Sequence, residues 1–198
     1  MQGEVAEGSK PAFADDRAGG ATLGYVAVRE PYEETITNLT GGKRMNALEL
    51  LMEDHRRVRD LFEQVKATES QRQHKQLFRK IKTELDTHAY IEEKVFYPAL
   101  KKYEEFRETV LESVEEHLQM KTLLRAIDRL SEGNERFDAK LKVLMDDVEH
   151  HVEEEEGELF PKVETRFPGE WLEEMGRELE AAKKGFGRTS RARAASSR

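Results

Sequence analysis

Residues 88–98 read HAYIEEKVFYP and residues 151–161 read HVEEEEGELFP. Aligned on the histidine, each stretch has Glu-Glu at four and five residues on, an aromatic residue at nine and proline at ten. On an α-helix, positions i and i+4 lie one turn apart on the same side. His88 with Glu92, and His151 with Glu155, therefore each present an imidazole and a carboxylate together. The likeness extends upstream. His55 precedes His88 by 33 residues and His117 precedes His151 by 34, and DHRRVRDLF around His55 resembles EHLQMKTLL around His117. The chain reads as a duplicated helical hairpin, each half offering one His from its first helix and His-x-x-x-Glu from its second.

Apolar residues at three- and four-residue spacing predict four helices around these positions. The first carries Leu51, His55, Val58, Phe62 and Val65, with Asn46 as its cap. The second carries Leu77, Ile81, His88, Glu92, Val95 and Ala99, with Pro98 near its end; the third carries Val110, Val114, His117, Met120, Leu124 and Ile127. The fourth carries Phe137, Leu141, Leu144, Val148, His151, Glu155 and Leu159, with Pro161 near its end. Long helices joined by short loops pack antiparallel, so the expected fold is all-α: an up-down four-helix bundle over residues 45–167. A short amphipathic helix is expected over 168–184, on Trp171, Leu172, Met175 and Leu179.

The ends differ in composition. Residues 1–44 hold seven of the thirteen glycines and no sustained period, which predicts a flexible arm. From position 183 onward there are six basic residues and no acid, and 185–198 is expected to be a disordered basic tail. Ala, Glu, Lys, Leu and Arg make up 101 of the 198 residues, the composition of long helices. The chain has no cysteine, which excludes disulfides, thiolate ligands and thiol catalysis. No apolar run reaches the ~20 residues of a membrane span, so a cytoplasmic location is expected. A net charge of −8 argues against non-specific nucleic-acid binding by the bundle.

One histidine on an apolar face is ordinarily a satisfied core residue. Four inward histidines and two inward carboxylates in two matched sets are different, because burying that many polar groups uncompensated costs several kcal/mol. A metal removes the penalty, since neutral imidazole and carboxylate are its natural ligands. Four nitrogens and two carboxylates are too many for one tetrahedral zinc. They suit two adjacent metals, each with two histidines, both carboxylates being shared. Iron ranks first for such a mixed site that keeps open positions, with manganese and zinc below it. The Glu-x-x-His pairs of ferritin-like di-iron proteins do not occur. The repeat also separates neighbours: His151, ten residues before Pro161, takes the ligand position, and His150 falls outside it. His74 has no partner in the repeat and reads as a surface residue.

The order His, His-x-x-x-Glu, His, His-x-x-x-Glu, with Glu-Glu and aromatic-Pro after each pair, resembles the hemerythrin-like HHE cation-binding domain. The resemblance covers about residues 45–167, and MNALELLMEDHRRVRDLF is similar to a typical opening of that domain. It implies a non-haem di-iron centre with an oxo or hydroxo bridge. By resemblance, His55, His88, His117 and His151 are terminal ligands, and Glu92 and Glu155 are bridging ligands. The oxygen-carrying members have a further His four residues after the third-helix ligand and an Asp five after the fourth-helix His; here those positions are Lys121 and Glu156. That departure favours a site reacting with oxygen, peroxide or nitric oxide over a reversible carrier. The pattern is nearer to iron–sulfur-cluster repair members, but their Cys-containing domain has no counterpart in a chain without cysteine.

The expected function is thus a di-iron protein that binds or turns over a small oxidant in oxidative or nitrosative stress. Peroxide decomposition and nitric oxide reduction are the candidate activities. A metal-dependent sensor or adaptor, and an iron storage or delivery protein, are the alternatives. Tyr90 and Tyr97 read first as packing residues, with hydrogen-bond or electron donation as their other role.

Overall fold

The computed structural model describes residues 45–131 and 133–196. The arm expected over 1–44 and the last two residues of the expected tail lie outside that range. Helix α1 spans Ala47–Lys66 and α2 spans Gln71–Ile91. A π-helical turn, Glu92–Phe96, carries α2 without a break into α3, Tyr97–Leu100. After a 3₁₀ turn comes α4, Arg107–Asp128. Helix α5, Arg136–Glu154, passes through a second π turn, Glu155–Leu159, into α6, Phe160–Arg166. Taken as rods, α1, α2–α3, α4 and α5–α6 are the expected up-down four-helix bundle. Helix α7, Gly169–Ser196, packs against α1 and α2.

Local chemistry sets the boundaries. Asn46 closes a capping box at the start of α1: its Oδ1 accepts from the Glu49 amide at 2.9 Å, and the Glu49 carboxylate accepts from the Asn46 amide at 2.9 Å. Between α4 and α5 the chain reverses at Gly133, whose φ of +85° lies in the left-handed region that glycine enters freely. His74 departs from the surface role expected of it. Only 12% of its side chain is exposed, and its ring links Asp138 of α5 (2.7 Å) to the carbonyl of Thr68 just beyond α1 (2.7 Å). On α4 the inward position is Ser113 rather than the expected Val114, which is 36% exposed.

The end of the chain also departs from expectation. The helix does not stop near position 184 but continues over the expected tail to Ser196. Gly185 and Gly187 read as breakers, each weakening a helix by about 1 kcal/mol relative to Ala. They are outweighed by strong helix formers around them and by tertiary anchors: Phe186 stacks on Tyr90 (centroids 4.5 Å), and Lys183 holds Asp54 of α1.

The apolar core falls into two clusters. One gathers Leu51, Ile91, Phe96, Leu100, Phe106 and Val110 under Leu172, Met175 and Leu179 of α7. The other gathers Val58, Phe62, Phe78, Ile81, Leu124, Ile127, Leu141 and Leu144. Along every rod the break between the two falls where the inward polar residues lie.

Candidate metal centre

Each rod of the bundle delivers its polar residues to the same layer. His55 comes from α1, His88 from the last turn of α2, His117 from α4 and His151 from α5, while Glu92 and Glu155 are the first residues of the two π turns. All six are at most 6% exposed. The histidines form two pairs across the hairpins. His55 Nε2 lies 3.0 Å from His88 Nε2, and His117 Nε2 lies 3.2 Å from His151 Nε2. Glu92 Oε2 is 3.1 Å from His88 Nε2 and 3.4 Å from His117 Nε2. Glu155 Oε2 is 3.3 Å from His55 Nε2 and 3.6 Å from His151 Nε2. Each carboxylate therefore touches one histidine of each pair. His150 stays outside this layer, 67% exposed and paired with Glu154 on the surface.

The outward nitrogens reveal residues that the sequence reading did not single out. His55 Nδ1 donates to Glu156 (2.8 Å), His117 Nδ1 to Glu93 (3.0 Å) and His151 Nδ1 to Glu116 (2.6 Å). For His88 the corresponding carboxylate is Asp54, at 3.9 Å. The placement follows the repeat: the acid just before each first-helix His lies beside the second-helix His of its own hairpin, bonded in the case of Glu116 and at 3.9 Å in that of Asp54. The acid just after each inward Glu serves the first-helix His of the other hairpin. Such carboxylates fix the tautomer and turn Nε2 inward. In the sequence these are the acids of DHRR and EHLQ and the second Glu of each Glu-Glu pair, repeated like the donors but indistinguishable by type from the many surface acids around them.

The π turns explain the aromatic-proline signature. At about 100° per residue, an aromatic nine positions after the histidine falls about 180° from it on a regular helix. The π turn absorbs one residue, with the Tyr97 amide reaching Glu92 O and the Phe160 amide reaching Glu155 O, which swings the aromatic back toward the layer. The wide turn also accommodates the proline that follows, which has no N–H to give and whose ring would crowd a regular turn. Tyr97 packs on the His117 ring (centroids 5.5 Å) and Phe160 stacks on His55 (5.8 Å, 6°). Tyr97 is more than a packing residue, because its buried hydroxyl donates to Glu155 Oε1 at 2.8 Å. Tyr90 is a packing residue, set against the apolar cluster beneath α7 and stacked on Phe186.

The electrostatics of the layer suit a bound cation. Burial and the neighbouring Glu155 hold Glu92 well above the usual carboxylate range. Glu155 is pulled well below it, against burial, by His151 and His55. Burial and the adjacent His55 push His88 well below the ordinary imidazole value. His55 itself, despite burial, is raised to about 9 by Glu155 and Glu156. His88 Nδ1, both oxygens of Glu92 and Glu155 Oε2 are buried without a hydrogen-bond partner. Four orphaned polar atoms in one buried layer are costly without partners and are what a bound metal would satisfy. The donors fall into two groups within 4.8 Å, His55–His88–Glu92–Glu155 and Glu92–His117–His151.

A cavity of about 120 Å³ reaches His117 and His151 between α4 and α5, walled by Met120 and Val148. A wider groove outside Tyr97 and Glu93, about 520 Å³, has none of the six inward residues in its wall. Among the described residues, no helix is long and apolar enough to cross a membrane.

Comparison with known proteins agrees with the geometry. Residues 46–163 match the family profile of the hemerythrin HHE cation-binding domain. Among solved structures, the chain is similar to a hemerythrin HHE cation-binding domain-containing protein from Mycobacterium kansasii. That likeness has a TM-score of 0.61 and 26% identity, and covers 72% of this chain and 87% of that one. Among curated proteins, a DNA nickase from Nostoc sp. is 29% identical over 148 residues. That match spans 75% of this chain but only 42% of the Nostoc protein.

Proposed function

Because the chain belongs to the hemerythrin HHE cation-binding family, we propose that it is a cytoplasmic di-iron protein that reacts with a small oxidant (oxygen, peroxide or nitric oxide) in oxidative or nitrosative stress. The supporting observation is that Glu92 and Glu155 each reach both histidine pairs, as carboxylates shared by two metals would. The donor set bears on the metal: four imidazoles and two shared carboxylates exceed what one closed tetrahedral zinc takes and suit two irons with positions left open.

When bound, the irons supply open coordination positions and exchangeable electrons to the oxidant. The protein does the rest. Glu156, Glu93 and Glu116 hold three imidazoles in register from their outer nitrogens. The Tyr97 hydroxyl donates a hydrogen bond to Glu155 Oε1 and so orients that carboxylate. Lys121, at the position of the carriers' extra histidine, turns instead to an ion pair with Glu93 and adds no nitrogen to the layer. A cavity of about 120 Å³ is far below the ~300 Å³ at which organic-ligand pockets begin, and admits only molecules a few atoms in size.

The activity named for the Nostoc relative does not transfer by this route, since donors at most 6% exposed are out of reach of a duplex phosphate. The test is anaerobic stopped-flow mixing of the iron-loaded, reduced protein with each oxidant. A rapid change with at least one of them is expected, slowed about tenfold or more by Met120→Trp at unchanged iron content. Silence with all three would leave the storage reading in its place.

A further inference from the structure

The four outer carboxylates are equivalent by the repeat but not in the structure. Glu116, the acid before His117, reaches His151 Nδ1 at 2.6 Å. Its counterpart Asp54, the acid before His55, stands 3.9 Å from His88 Nδ1 and leaves that nitrogen without a partner. Burial does not distinguish the two cases, as Asp54 is only 3% exposed. Competition does. Lys183 of α7 donates to both Asp54 oxygens, at 2.5 and 2.6 Å, and Arg57 pairs with the same carboxylate. Among the described residues, no helix covers the other hairpin as α7 covers α1 and α2, and Glu116 meets no lysine or arginine.

We propose that Lys183 is a positioning residue for the metal centre: by drawing Asp54 away from His88, it makes the His55–His88 position the more labile of the two. The inference rests on the di-iron reading above. A metal-bound imidazole is a stronger ligand when its outer N–H is given to a carboxylate, and loss of that partner typically costs 10–100-fold in affinity. His151 has such a partner and His88 does not. Linkage runs in both directions, so filling the His55–His88 position favours release of Asp54 from Lys183 and loosens this part of α7. The C-terminal helix thereby becomes a reporter of metal state.

The experiment follows release of ferrous iron from the full-length, anaerobically loaded protein into excess ferrozine. The wild type should show two phases of equal amplitude. Lys183→Met should slow the faster phase about tenfold and leave the slower one unchanged. Lys183→Arg, which keeps the charge, should release iron as the wild type does. In an Asp54→Asn background, Lys183→Met should have no effect, because no carboxylate is left to return to His88. A purely structural role for Lys183 predicts the opposite sign, with faster release as α7 loosens. Unchanged or accelerated release in Lys183→Met overturns the proposal while leaving the metal centre standing. Failure of the wild type to take up iron overturns both.

Discussion

His150 and His151 are adjacent, and each has a glutamate four residues on, yet only His151 faces the layer. A helix rotates about 100° per residue, so one step is enough to turn a side chain from core to solvent. We expect His151→Ala to lose much of the metal, and His150→Ala to retain it, by elemental analysis of the two variants. Retention by His151→Ala would show that the register of the repeat is misassigned. At this scale the sequence was informative about donors and less so about their supports. The six inward residues could be found because each is a polar intrusion on an apolar stripe, repeated. Glu93, Glu116 and Glu156 could not, because a chain with 41 acidic residues hides three functional ones among solvated neighbours. The Tyr97 hydroxyl was hidden for another reason: its direction depends on the π turn, which a 3.6-residue period does not reveal.

Helix ends and turns carry the next set of consequences. His74 clasps the end of α1 to α5. Burial opposes its charge, but Asp138 and the Thr68 carbonyl outweigh that and raise its pKa. A group raised on folding contributes fully below its unfolded value, about 6.5, and its contribution is lost as pH climbs through the folded value. Urea titrations should show His74→Ala less stable than the wild type by about 1–3 kcal/mol at pH 5.5, a gap that narrows at pH 9. A gap independent of pH would mean the clasp does not depend on the charge. The bundle's helices were legible from their apolar spacing because packing enforces that spacing. The length of α7 was not, since two glycines follow Lys184 and the anchor that carries the helix past them, Phe186 on Tyr90, joins residues far apart in the chain.

The bundle is a polar layer set between two apolar clusters, with α7 packed on α1 and α2. That packing needs a close approach. A Cβ at Gly176 would meet Met45 O at 2.8 Å and Ala47 N at 3.1 Å, backbone atoms at the capped start of α1 that cannot swing aside. Gly176→Ala should destabilise by about 1–3 kcal/mol, and each kcal/mol lowers Tm by about 2–4 °C in a chain of this size. A thermal melt unchanged by the substitution would show that α7 packs less closely than described. With α7 packed on α1 and α2, the cavity that reaches His117 and His151 lies between the other pair of helices, α4 and α5. The proposed function rests on two metals being held in the layer. The decisive measurement is elemental analysis of untagged protein loaded with iron under anaerobic conditions. The expected result is about two iron atoms per chain, and a value of one or fewer, or exclusive retention of zinc, would contradict it.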